Sequence, residues 1–290
     1  MIVISSVHME SLARDLAKKL RCRFFPLEIS NFPDGESYIR FLCDIRDEEV
    51  ALVRSFQPEP QEALVEVLFA ASQARVNGAK KITLVAPYLG YIRQDKEFNS
   101  GEVVSARIVG KLLSGVIDRI VTIDPHLHRI RNPRELFSCE PVVLSANELV
   151  GDFIKKKYKK GIIIGPDGES EQWATAIAQR IGWESTVLQK KRFSGRHVKV
   201  KLKEEIDVRG KNVIIVDDII STGGTVAGAA RLLKEQKPKR IAAVCVHGLF
   251  VEDALAKMKK AGIASIACTN TIKGRYAQID ATSLIADALR

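Results

Sequence analysis

The segment Asn212–Thr225 reads NVIIVDDIISTGGT, an apolar run that ends in two adjacent acids, Asp217 and Asp218. A loop of small residues, Ser221–Thr225, then opens a helical stretch. Such a loop can cradle a phosphate. Gly223 and Gly224 let the backbone approach the ligand, successive N–H groups face inward, and the helix adds the positive end of its dipole. Hydroxyls on Ser221, Thr222 and Thr225 supply further donors. The two carboxylates just upstream can accept hydrogen bonds from the hydroxyls of a sugar diol while its phosphate sits in the loop. The loop lacks the GxxxxGK[ST] pattern of a P-loop. Acids that merely cap a helix are the bland alternative, but capping needs one acid and no glycine loop.

Five other segments carry chemistry. Asn31–Glu36 reads NFPDGE, where Asp34 and Glu36 could bind a ligand or simply make a tight turn. Pro87–Lys96 reads PYLGYIRQDK and holds Arg93 and Gln94; an arginine fork suits phosphate oxygens. Thr122–His126 reads TIDPH, and Gly165–Gly168 reads GPDG, which places Asp167 in a turn. Lys190–Arg192 reads KKR. It is either a solvated basic turn or a pair that neutralises charge during group transfer.

These segments need elements to hold them. Strand candidates rich in Ile and Val are Met1–Ile4, Val50–Ser55, Lys81–Ala86, Arg119–Asp124, Gly161–Gly165, Asn212–Asp217, Arg240–Val246 and Ile263–Cys268. Helical patterns lie between them, at His8–Leu20, Gln61–Asn77, Gly101–Leu113, Ala146–Tyr158, Ser170–Ile181, Gly224–Glu235, Val251–Lys260 and Ser283–Leu289. Alternating strands and helices predict an α/β fold with parallel sheets flanked by helices. Lys80–Tyr91 (KKITLVAPYLGY) and Lys239–Phe250 (KRIAAVCVHGLF) echo each other, although any two buried strands look somewhat alike. The echo makes two similar halves plausible, with a boundary near Glu140–Ala146; we draw the domains as 1–143 and 144–290.

VDDIISTGGT resembles the phosphoribosyl diphosphate binding motif, shared by type I phosphoribosyltransferases and ribose-phosphate diphosphokinases. NFPDGE, PYLGYIRQDK with the following VSAR (104–107), TIDPH and GPDG resemble, in order, segments of the diphosphokinases, and it is their order together that is specific. The match covers essentially the whole chain and is closest to the shorter, archaeal-type members. It implies two phosphoribosyltransferase-like domains, ATP bound on the first and ribose 5-phosphate on the second. It further implies a transfer of the diphosphoryl group of ATP to the C1 hydroxyl of ribose 5-phosphate, with Mg2+ as cofactor.

By that resemblance Phe32, Asp34, Glu36, Arg93, Gln94 and His126 bind ATP, with Phe32 stacking on adenine. His126 and Asp167 contact magnesium. Asp217, Asp218, Ser221, Thr222, Gly223, Gly224 and Thr225 bind ribose 5-phosphate, and Lys190 and Arg192 belong to a catalytic basic loop. In family members the N-terminal segment reaches a neighbouring subunit's site, so a homo-oligomer, dimer or higher, is implied. Three departures stand out: Ser221 in place of a third aspartate common in the family, Val103 in place of a proline, and Pro125.

Composition is compatible with this. The 290 residues are 46% hydrophobic and 28% charged, the balance of a globular protein. The net charge of +10 suits anionic substrates. Aromatics are 6% and not interleaved with the basic residues, which argues against a base-stacking nucleic-acid surface. The run Lys155–Lys157 with Lys159 and Lys160 reads as a solvated helix end. The five cysteines are scattered without CxxC spacing, so neither a disulfide framework nor a zinc site is expected, and a reducing cytoplasm is the simplest setting. No leader peptide or membrane-spanning run is apparent. The rival readings are a phosphoribosyltransferase, which leaves PYLGYIRQDK unexplained, a non-catalytic regulatory relative, and a nucleic-acid binder resting on charge alone.

Overall fold

Strands of Ile and Val that are buried on both faces become the middle of a parallel sheet, because helices must cover both sides. The computed structural model describes residues 1–194, 197–204 and 206–290, and the side chains of these outside 190–200. It divides into two units. Met1–Ser145, Thr271–Lys273 and Ala281–Arg290 form the first; Ala146–Asn270 and Gly274–Asp280 form the second.

The first unit runs β1 (Ile2–Ser5), α1 (Glu10–Leu20), β2 (Arg23–Asn31), β3 (Ser37–Phe41), β4 (Glu49–Val53), α2 (Pro60–Val76), β5 (Lys81–Ala86), α3 (Ser105–Ser114), β6 (Arg119–Ile123) and β7 (Glu140–Leu144). The second runs α4 (Asn147–Lys157), β8 (Ile162–Gly165), α5 (Glu171–Ile181), β9 (Glu184–Ser194), β10 (His197–Leu202), β11 (Asn212–Ile220), α6 (Gly224–Lys234), β12 (Arg240–Gly248), α7 (Ala254–Lys260), β13 (Ile263–Thr269) and β14 (Ala277–Ile279). The last helix, α8 (Thr282–Leu289), belongs to the first unit, whereas the sequence reading put everything after 143 in the second domain. It packs on α1, burying Ile285, Ala286 and Leu289, and Arg290 donates to the Lys19 carbonyl.

The strand orders are β3-β2-β1-β4-β5-β6-β7 and β10-β9-β8-β11-β12-β13-β14, so the two sheets share one topology. Each is parallel apart from an antiparallel hairpin at one edge, β2–β3 or β9–β10. All eight strand candidates and all eight helix candidates form, with ends moved by four residues or fewer. Sequence reasoning missed β2, β3, β7, β9, β10 and β14. They lie at or next to sheet edges, and in β2 and β3 exposed and half-covered residues replace the continuous apolar run. Lys155, Lys156 and Lys157 are exposed at the C-terminal end of α4, where cations complement the helix dipole.

The echoing segments fall on β5 and β12, the fifth strand of each sheet, and the register sharpens the equivalence. Val53 pairs with Val85, and Val216 pairs with Val244. Arg54 and Ser55 therefore occupy the places in the first sheet that Asp217 and Asp218 occupy in the second. Arg54 is buried and pairs with Glu66 of α2 at 2.6 Å. The Ser55 hydroxyl donates to the Thr271 carbonyl and accepts from the Tyr88 amide, and Phe56 is fully buried. In the first unit this position is packed shut.

Candidate functional site

In the second unit the equivalent position is open. β11 runs three residues further than the sequence pattern suggested, so Asp217 and Asp218 lie within the strand, Asp217 beside Cys245 of β12. Asp218 is buried, and its Oδ1 accepts the Ile219 amide at 2.7 Å. Asp217 is half-buried, and its Oδ1 accepts the Asp218 amide at 3.1 Å. Burial, then the charges of Asp218 and Asp167, push the Asp217 carboxyl well above the usual carboxylate range.

The chain then leaves the sheet through Ser221 and Thr222 and enters α6 at Gly223, which takes φ +68°. A Cβ here would meet Met258 Cγ at 3.1 Å and the Ala254 carbonyl at 3.3 Å. Gly223→Ala should therefore lower the unfolding free energy by about 1–2 kcal/mol, the cost of a left-handed residue with a Cβ, and so lower the urea midpoint; an unchanged midpoint would show that the turn relaxes. No side chain caps α6, and its first turn carries no acid. Thr222, Gly224 and Thr225 are exposed. Uncapped first-turn amides beside exposed hydroxyls make a seat for an anion.

Asp167 stands in the turn from β8 to α5. Its Oδ1 accepts the amides of Glu169 and Ser170 at 3.1 and 3.2 Å, and Ser170 Oγ donates to its carbonyl at 2.7 Å. These bonds explain why GPDG folds locally into a tight turn. A groove of 740 Å³ is lined by Asp167, Gly168, Gln189, Gly224, Thr225 and Leu232, among others. The structure thus brings Asp167 to the loop, with Asp217 and Asp218 close behind. Gln189 and Leu232 escaped sequence reasoning, since neither belongs to a motif.

The cluster has a pH consequence. A carboxyl whose folded pKa is raised binds its proton more tightly in the native state. Stability is then lost as pH rises from the unfolded value of about 3.9 through the folded one. Asp217→Asn should raise the Tm in metal-free buffer at pH 7 and give no gain below about pH 4. Equal melting of both proteins at pH 7 would refute the strained carboxyl. A cation bound beside the three carboxylates would relieve the repulsion that Asp218 and Asp167 exert on Asp217.

The first unit carries the other group of residues named from sequence. Phe32, Asp34 and Glu36 form the exposed tip of the β2–β3 hairpin. Gly35 turns it at φ +92°, the Phe32 amide donates to the Glu36 carbonyl at 2.8 Å, and the Asp34 side chain accepts the Glu36 amide. Phe32 meets Tyr38 edge-on. Among the described residues, none of their hydrogen bonds or ring contacts reaches Arg93, Gln94 or His126 within the chain.

Arg93 is exposed after β5. Gln94 Nε2 donates to Glu102 at 3.0 Å, and Glu102 also accepts the Phe98 amide and the Asn99 side chain, which hold its carboxyl down to about 2. Glu102 thereby ties the polar loop that follows PYLGYIRQDK. Beyond β6 the chain turns through Asp124 at φ +36° and His126 at φ +60°, and His126 Nδ1 lies 2.9 Å from His128 Nε2. Buried Asp95 accepts two hydrogen bonds from Arg129, at 3.1 and 3.3 Å, which ties the histidine segment to PYLGYIRQDK. Neither Asp95 nor Arg129 was singled out from sequence. Lys190 and Arg192 lie two residues apart on β9, paired in the hairpin with Val200 and Val198; their side chains are outside the described residues.

Residues 1–116 match the N-terminal domain of ribose phosphate pyrophosphokinase, and residues 135–273 match the phosphoribosyl transferase domain. Ribose-phosphate pyrophosphokinases from Methanopyrus kandleri and Methanothermobacter thermautotrophicus are 34% and 36% identical, over all of this chain and 98% and 100% of theirs. The chain belongs to the ribose-phosphate pyrophosphokinase family. The crystal structure of phosphoribosylpyrophosphate synthetase from Mycobacterium smegmatis matches with a TM-score of 0.86 at 27% identity, covering 100% of this chain and 97% of that one. In this pyrophosphokinase-family chain the α/β fold and the repeated topology follow the resemblance read from its motifs, down to the archaeal relatives. No described helix is long and apolar enough to cross a membrane.

Proposed function

We propose that the protein transfers the diphosphoryl group of ATP to the C1 hydroxyl of ribose 5-phosphate, giving phosphoribosyl diphosphate and AMP. The observation that carries this reading is the open, uncapped loop Ser221–Thr225 beside the Asp167, Asp217 and Asp218 carboxylates. It stands in a chain whose full-length relatives are ribose-phosphate pyrophosphokinases.

In this reading Ser221, Thr222, Gly223, Gly224 and Thr225 seat the 5-phosphate, while Asp217 and Asp218 accept hydrogen bonds from the ring hydroxyls. The C1 oxygen is thereby aimed at the β-phosphorus of ATP. The new C1 O–P bond forms, the bond between the β-phosphorus and its bridge oxygen to the α-phosphate breaks, and AMP departs. The C1 hydroxyl proton goes to solvent. Residues 1–143 form the ATP side, through Arg93, Gln94 and His126, and Phe32, Asp34 and Glu36 stack on and read adenine. Lys190 and Arg192 neutralise charge that builds on the transferring group. Magnesium, when bound, would spread phosphate charge, with His126 its contact on the ATP side and Asp167 its contact on the ribose side; few protein ligands are needed because the ion keeps several waters. No covalent intermediate is required, so positioning and electrostatics do the work.

The exposed hairpin tip carrying Phe32 is explained if it completes the site of a neighbouring copy, which implies a dimer or larger homo-oligomer. The scattered cysteines fit a cytoplasmic setting. AMP formation that requires both ribose 5-phosphate and Mg2+ is the expected assay result. AMP absent under those conditions, or consumption of phosphoribosyl diphosphate with a free base instead, would overturn the reading in favour of a phosphoribosyltransferase or a silent relative.

A further inference from the structure

The reaction above uses one histidine of a close pair. His126 Nδ1 and His128 Nε2 stand 2.9 Å apart, with ring planes at 89° and centroids 3.9 Å apart. The perpendicular setting lets the nitrogens approach without collision of the ring carbons. Two metal–nitrogen bonds of about 2.1 Å put their nitrogens about 3.0 Å apart at a right angle and about 3.4 Å apart at the tetrahedral angle zinc usually takes, so the 2.9 Å found here needs the rings to part by only a few tenths of an ångström. Without metal the same gap holds a shared proton, one ring donating and the other accepting.

The backbone is bent to produce this approach. Asp124 and His126 both adopt left-handed φ, at +36° and +60°, a region that residues other than glycine seldom occupy. Such conformations persist where the surrounding structure holds them, and they cluster at ligand sites. The Asp95–Arg129 ion pair anchors the residue next to His128.

We infer that His126 and His128 together chelate a divalent cation that favours imidazole, such as zinc or cobalt(II). The inference rests on the reading of His126 as a metal-contacting residue and goes beyond it by adding a second nitrogen ligand. Magnesium prefers oxygen ligands in near-octahedral geometry. A two-imidazole set moves affinity toward the later first-row metals, in the order that generally holds for nitrogen sites. The chain therefore binds zinc or cobalt more tightly than an all-oxygen site would.

The test is calorimetric titration of zinc alone into the metal-free full chain, with 15N chemical shifts of the imidazoles read in parallel. In the wild type both rings shift on zinc binding. In His128→Ala and in His126→Ala the tightest site weakens at least about tenfold, the loss that even an outer-shell partner of a ligand causes. Unchanged zinc affinity in a His128→Ala protein with native circular dichroism overturns the inference, and so does movement of one ring only in the wild type. The wild-type shifts decide the matter if a variant fails to fold. AMP formation with magnesium is a separate readout. Zinc chelation without AMP formation removes the proposed reaction and keeps the chelate; the converse removes the chelate alone.

Discussion

Glu66→Ala should cost the first unit about 3–5 kcal/mol of stability, the penalty for leaving a buried charge without its partner. The Arg54 and Glu66 side chains are 3% and 7% exposed, and their contact is 2.6 Å. Arg54 Nη1 is held by the Ser55 carbonyl at 2.7 Å, while Nη2 has no hydrogen-bond partner among the described residues. The guanidinium thus has little spare hydrogen bonding to fall back on, and it cannot shed its proton. Truncating Glu66 strands a cation among Leu27, Ile29, Leu52 and Val67, which line the same small cavity. Replacing both partners at once, as in Arg54→Met with Glu66→Leu, should cost much less, because no uncompensated charge remains. Urea unfolding followed by circular dichroism measures the midpoints of the three proteins. A Glu66→Ala midpoint equal to wild type, or a double variant worse than the single one, would show that the pair is not what holds this position shut.

Lys190→Ala should lower kcat about 10²–10³-fold, the range seen when one preorganised electrostatic donor is removed, with KM for both substrates within a few-fold. The residue stands on β9 opposite Val200, in the hairpin at the edge of the sheet that carries the loop Ser221–Thr225. A lysine that meets only the charge developing during transfer contributes to the transition state and little to substrate binding. Single-turnover AMP formation against substrate concentration separates the two effects. If KM rises while kcat holds, Lys190 is a binding residue. If neither changes, it leaves the catalytic set. Lys190→Arg should recover part of the rate, since the charge persists in a different shape.

The two sheets share one topology, yet only the second carries the glycine loop. At the place of Asp217 and Asp218 the first sheet carries Arg54 and Ser55, and both are tied up by hydrogen bonds within the first unit. The glycine loop has no counterpart there, because Phe56, Pro58 and Pro60 fill the turn into α2. The fold repeats while the chemistry does not, as expected when function resides in a grafted site.

Much of this was legible in the residues. Ile- and Val-rich runs announced the central strands, because burial on both faces leaves a continuous apolar signature. The loop Ser221–Thr225 and the turn at Asp167 were legible because glycine content and neighbouring polar groups act over a few residues. Other features needed the tertiary structure. The hairpins β2–β3 and β9–β10 lie at sheet edges, where the apolar signal fades. Asp95 meets Arg129 across 34 residues, Arg54 takes the place of Asp217 only through strand register, and α8 returns to α1 from the far end of the chain. His126 and His128 stand close in sequence, yet their 2.9 Å approach depends on left-handed backbone at Asp124 and His126, a conformation that Asp and His tolerate better than most residues but that sequence alone does not impose. Short-range preference wrote the elements and the loop; long-range packing set the partners, since only the folded chain brings distant side chains within bonding distance.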